Sequence, residues 1–263
     1  MDYIQTNKAA WEEAFDRRKP RWGEDVPERL LREKLPFLHP DLAAELSRLD
    51  LLGKHVAQFC CNNGRELLSL MRLGPASGTG FDLADNIVSQ ARDIAKRAGI
   101  QNCEFVAGNL LDIPDTYRGR FDLILFTIGG LAWFEDLGPV FAKVSQCLRE
   151  NGTLCVHDAH PFFNMLPMPG EDCFDSAGAP IPAYSYFKAD PWVETHGMSY
   201  MTGRYASKPL ISFSHTMGDL VTSVAQSGLC VTKLREFDRD VGMTDVYDGK
   251  GVPLSYLLTA QKR

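Results

Sequence analysis

The stretch HVAQFCCNNGREL, His55–Leu67, runs from an apolar segment through polar, turn-prone residues and one glycine into the start of a helical pattern. That is the outline of a strand feeding a tight loop that opens a helix. In α/β proteins such a junction is where nucleotides bind, because the exposed amides and positive dipole end of the helix favour anions. A glycine-rich loop is the usual solution there, whereas this loop carries cysteine and asparagine. Asn tolerates positive φ better than most residues, and Gly64 is free of a Cβ. Taken alone, the loop reads better as a plain connection.

The flanking sequence settles the architecture. Downstream, GRELLSLMRLG reads as a helix closed by Gly74, SGTGFDLA as a second strand and NIVSQARDIAKRAG as a helix ending at Gly99. CEFVAGN and FDLILFTIG follow as strands, LGPVFAKVSQCLRENG as a helix and TLCVHDAH as a fifth strand. Strands and helices alternating through short connections specify a mostly parallel sheet with helices on both faces. Upstream, Ile4, Ala9, Trp11, Ala14 and Phe15 recur at helical spacing until Pro20, and a second helical stretch over 27–50 is interrupted at PFLHP. Beyond His160 the rhythm breaks: six prolines lie between 161 and 192 (161, 167, 169, 180, 182 and 191). Regularity returns with HTMGDLVTSVAQSG as a helix and LCVTKLREF and PLSYLLTAQK as strands, expected to pair antiparallel at an edge. The fold class is therefore α/β, a doubly wound, mostly parallel sheet in one domain over residues 1–263. It divides into an N-terminal helical arm (1–50), a core (51–160), an inserted cap (161–210) and a C-terminal helix with edge strands (211–263).

Bulk properties narrow the function. The chain has 263 residues, 44% hydrophobic and 24% charged, with a formal net charge of −6, which gives no electrostatic case for nucleic acid or an anionic membrane. Seven cysteines (60, 61, 103, 147, 155, 173 and 230) form no CxxC pair and no metal-ligand cluster, so no metal is expected. The opening MDYIQTNKAAWEE lacks an apolar core, and no run approaches 18 apolar residues. The expectation is a cytoplasmic protein without a secretory signal or membrane span.

The order of parts, with the ends of four successive strands, resembles the class I S-adenosylmethionine-dependent methyltransferases over residues 50–160, and more loosely over 211–263. The resemblance implies seven strands with the last antiparallel, and S-adenosyl-L-methionine bound at the carboxyl ends of the first strands. The family's first loop reads acid-x-Gly-x-Gly-x-Gly. Here Gln58, Cys60, Asn62 and Gly64 take those positions, with Cys61 between, and only the last glycine remains. Asp82, 24 residues beyond Gln58 and next to Leu83, would receive both ribose hydroxyls. The alternative role for an acid here, capping the next helix, suits Asp85 better. At the end of the third strand Asn109 replaces the family's acid and keeps an acceptor for the adenine amino group, while Leu110 would pack on the ring. Thr127, Ile128 and Gly129 would face the reactive end of the cofactor, with Trp133 and Phe134 either core or rings that hold a sulfonium. The arm, through Tyr3 and Trp11, would form a lid.

Methyl transfer needs alignment and, for some acceptors, a general base. His157, Asp158 and His160 follow the fifth strand. Alternation puts 156, 158 and 160 on one face and 157 on the other. His160 is the best-placed base on topology, against a role in bonding the backbone beside Pro161. Tyr186 is the second catalytic candidate, from an aromatic cap whose polar tips also include Asn164, Tyr184, Tyr200 and His215. Such a lining fits a small-molecule acceptor. The expected activity is methyl transfer to that acceptor by a monomer or homodimer. Two other readings stay open. One is a cyclase or lyase of the same fold that closes the aminobutyl chain and releases methylthioadenosine, and needs no acceptor. The other is a non-catalytic protein that binds the cofactor.

Overall fold

The computed structural model describes residues 2–175 and 177–263. The arm begins with α1 (Tyr3–Asp16), capped by the Asp2 carboxylate, which accepts from the amides of Ile4 and Gln5. Two short helices follow, α2 (Val26–Arg32) and α3 (Pro40–Leu46), each with proline in its first turn, where the missing N–H costs nothing. The core then alternates β1 (His55–Phe59), α4 (Arg65–Leu70), β2 (Ser77–Asp82), α5 (Asp85–Arg97), β3 (Cys103–Ala107), β4 (Phe121–Thr127), α6 (Leu137–Cys147) and β5 (Leu148–Ala159). A two-stranded ribbon, β6 (Trp192–Glu194) with β7 (Leu210–Ser212), precedes α7 (Met217–Gln226), β8 (Leu229–Phe237) and β9 (Ser255–Lys262).

The main sheet has seven strands in the order β3-β2-β1-β4-β5-β9-β8. Pairing is parallel from β3 to β5, and β9 runs antiparallel to both of its neighbours. The expected seven strands with an antiparallel last strand are therefore observed. The last two strands do pair antiparallel, but β9 inserts between β5 and β8 and leaves only β8 at the edge. Helices α6 and α7 bury Val140, Phe141, Val144, Leu220 and Val224 against one sheet face. On the other face α2–α5 bury Leu30, Leu42, Leu67, Val88 and Ile94. The sixth helix stops at Cys147, five residues short of Gly152, because residues 148–151 already belong to β5 and Asn151 takes a positive φ of 62°.

The expected cap is two pieces. Residues 161–175 pack on the β8–β9 connection, where Phe163 and Leu166 meet Tyr247 and Leu254 and the Tyr247 hydroxyl donates to the Pro167 carbonyl at 2.6 Å. The second piece joins the arm. Buried Asn7 on α1 donates to the Ile211 carbonyl and accepts from the Ile211 amide, both at 2.7 Å. Met201 lies in the cluster formed by Ala14, Phe15, Ala84 and Ile87.

Candidate active site

The carboxyl ends of β1, β2, β3 and β4 meet at one edge of the sheet. The loop after β1 is tightly wound: Cys60, Asn62 and Gly64 have φ of 55°, 49° and 75°. Gly64 is confined sterically as well, since a Cβ there would sit 2.3 Å from the Phe105 ring. The remaining glycine thus stands where none of the twenty residues but glycine fits without strain. Cysteine and asparagine take up the other two left-handed turns.

The Asp82 carboxylate ties this loop to β2. One oxygen accepts from the Asn62 amide at 2.7 Å and the other from Ala84 at 3.2 Å. Each oxygen keeps a further lone pair, and the residue is only half-buried. Burial raises its carboxyl above the usual range, against the lowering effect of those amides. Asp85, expected as the helix cap, instead forms the first residue of α5 and pairs with Lys8 on α1. That interaction draws the arm over the site.

Gln58 is buried, and its Nε2 donates to the Thr127 hydroxyl at 2.8 Å, linking β1 to β4. Its Oε1 is buried without a described partner. Gly129 turns with φ of 77°, and a Cβ there would meet nothing within 4 Å. Ile128 is 38% exposed. Trp133 meets Trp11 of the arm edge-on, ring centroids 5.3 Å apart, and Tyr3 packs on Phe213 at 5.1 Å. Thus Tyr3 and Trp11 lie over the turn after β4.

Other candidates sit differently. The Asn109 side-chain oxygen accepts from the Leu111 amide at 3.2 Å and its nitrogen donates to Asp112, so it shapes a turn and has only a second lone pair to offer. Leu110 is buried in the core cluster that also holds Ile113. Leu83 is half-buried beside Asp82, and Cys61 is wholly buried. His160 is not free to act as a base. Its Nδ1 accepts from the Phe162 amide at 3.0 Å, and its Nε2 faces Glu236 at 2.9 Å. Tyr186 accepts from the Met217 amide at 2.9 Å and so holds the start of α7. Tyr184 donates to Glu171, His215 to the Phe134 carbonyl, Asn164 is exposed, and Tyr200 lies 6.5 Å from the Trp22 ring.

Two residues of β5 emerge instead. Asp158 is buried, with Oδ1 accepting from the amides of Gly129 and Ala159. Burial lifts its carboxyl from 3.8 to about 6, despite those amides. His157, on the opposite face, has its pKa lowered to about 4 by burial, aided by the His39 ring 5.0 Å away. The alternation of strand five signalled both faces. Nothing local showed that the residue at the strand's tip is engaged by one 76 positions away.

Comparisons with known proteins bear on the family and the fold. Residues 53–177 match the family described as Methyltransferase domain. A demethylmenaquinone methyltransferase from Lactococcus lactis is 30% identical over 138 residues, 46% of this chain and 54% of that protein. The chain thus spans about half the length of this curated relative. A presumed S-adenosylmethionine-dependent methyltransferase from Listeria monocytogenes superposes with a TM-score of 0.65 at 17% identity, covering 84% of this chain and 97% of that one. The [4+2]-cyclase SpnF superposes with a TM-score of 0.55 at 15% identity, covering 84% and 78% respectively. Residues 53–177, just under half of the chain, thus carry the match to a methyltransferase domain, and the fold is shared with the solved methyltransferase structures.

Proposed function

We propose that the chain transfers the methyl group of S-adenosyl-L-methionine to a small-molecule acceptor. The observation that carries this reading is the Asp82 carboxylate, fixed by the Asn62 and Ala84 amides with a lone pair left on each oxygen. That pair matches two neighbouring ribose hydroxyls. The wound loop of Gln58, Cys60, Cys61, Asn62 and Gly64 brings backbone groups and the N-terminus of α4 to the amino acid end of the cofactor. Leu83 and the second lone pair of Asn109 serve the adenine. Thr127, Ile128 and Trp133 border the sulfonium, and Tyr3 and Trp11 close over it.

When bound, the cofactor supplies a methyl carbon already activated by positive sulfur. The protein's task is to align an acceptor and exclude water. The acceptor site belongs beneath the arm and the ribbon β6–β7, which together cover the carboxyl edge. The relative from Lactococcus lactis is matched over less than half of this chain, so its demethylmenaquinone acceptor does not carry over through the matched part alone. Neither His160 nor Tyr186 offers an unengaged base, so an acceptor activated by proximity is the better fit.

The test is calorimetry. The wild-type chain should bind S-adenosylmethionine, and Asp82→Ala should lose about ten- to hundredfold in affinity, corresponding to charge-assisted hydrogen bonds of about 1.5–3 kcal/mol. Equal affinities would remove Asp82 from the ribose site.

A further inference from the structure

Asp158 is a buried carboxylate without a cation. It is 5% exposed. Among the described residues no lysine, arginine or histidine nitrogen lies within 4.0 Å of it, although sixteen other ion pairs occur in the molecule. Such a charge is costly to keep dry unless something pairs with it. Its surroundings show where that partner would lie. Oδ1 accepts from the Gly129 and Ala159 amides, and the Leu131 amide also stabilises the carboxylate, so the group caps the turn after β4 by backbone amides alone and, among the described residues, no cation balances its charge. Tyr256 stands opposite Asp158 on β9. On the other side is Cys60, close enough to Gly130 that a Cβ on that glycine would lie 3.5 Å from the cysteine Cβ. The Cys60 thiol is pushed well above its usual range by burial first, then by the charges of Asp82 and Asp158. Asp82 is tied by both oxygens at the ribose end. Asp158, near the end of β5, is bonded to the turn after β4.

We propose that Asp158 is the counter-ion of the sulfonium, and that it makes the site prefer the charged cofactor to its neutral thioether product. This rests on the cofactor reading given above. Transfer of the methyl group leaves the sulfur uncharged, so the pairing is lost as S-adenosylhomocysteine forms. The product is then held less tightly than the substrate, and its departure is favoured. The carboxylate does no covalent chemistry in this role. It is a specificity-determining contact acting on charge.

The experiment compares three ligands on the full chain: S-adenosylmethionine, S-adenosylhomocysteine, and an analogue with a protonated amine in place of the sulfonium. The wild type should bind both cations more tightly than the thioether. In Asp158→Asn the amide oxygen still accepts from Gly129 and Ala159, so the turn is retained. Affinity for the two cations should fall by about tenfold or more while affinity for the thioether stays within threefold. An unchanged ratio of sulfonium to thioether affinity in the variant overturns the proposal and leaves the cofactor reading intact. If the variant does not fold, the wild type decides, because thioether binding as tight as sulfonium binding is incompatible with a counter-ion at this position. Failure of the wild type to bind either ligand defeats both readings.

Discussion

Asp158 also ties function to stability. With its carboxyl raised from 3.8 to about 6 by burial, the folded protein holds the proton more tightly than the unfolded chain. Its contribution is neutral below about pH 4, becomes unfavourable as pH rises through 4–6, and is fully unfavourable above that window. At pH 8 the ligand-free protein therefore carries a penalty on the order of 2–3 kcal/mol. Asp158→Asn removes the charge and should be more stable than wild type at pH 8, the advantage shrinking toward zero by pH 4. Denaturant unfolding of both proteins across pH 4–8 measures this. A constant difference would mean that burial does not strain the carboxylate. At the same scale, the loop after β1 was legible because Asn and Gly tolerate positive φ, and the structure places Asn62 and Gly64 there. The roles of His160 and Asp158 were not. Each depends on a partner from a distant strand or turn, Glu236 for one and Gly129 for the other.

Among the elements, α1 and the ribbon β6–β7 act as one cover. Asn7 binds both backbone groups of Ile211, the Glu13 carboxylate accepts from the Lys208 amide at 2.8 Å, and the Lys19 amide donates to the Met201 carbonyl at 2.8 Å. Asn7→Ala would leave the Ile211 amide and carbonyl buried without partners, a cost of about 2–4 kcal/mol. The expected outcome is faster hydrogen exchange in 208–212 and weaker cofactor binding, with exchange in β1–β5 unchanged. Protection of 208–212 equal to wild type would show that the hydrophobic contacts of Met201 suffice. The helix itself was readable from the spacing of Trp11, Ala14 and Phe15. Its attachment was not, since an asparagine in a helix reads as a surface residue until the strand that buries it is known.

For the whole molecule, the alternation of strands and helices fixed the sheet because each periodicity records which face is buried. The insertion of β9 between β5 and β8 left no such record. Both strands are apolar on the buried side, and order across a sheet is a long-range property. The site is therefore best defined on the cofactor side and least on the acceptor side, and the reaction itself gives the decisive test. In methyl transfer the nucleophile belongs to a second molecule, so the cofactor should survive with the enzyme alone. In ring closure the cofactor's own amine attacks the carbon γ to its carboxylate, and no acceptor is required. That path needs the chain folded back on itself, which methyl transfer does not. Incubation with S-adenosylmethionine alone, followed by chromatography for methylthioadenosine, should show only spontaneous decay. Enzyme-dependent methylthioadenosine over many turnovers would replace the transferase with the cyclase.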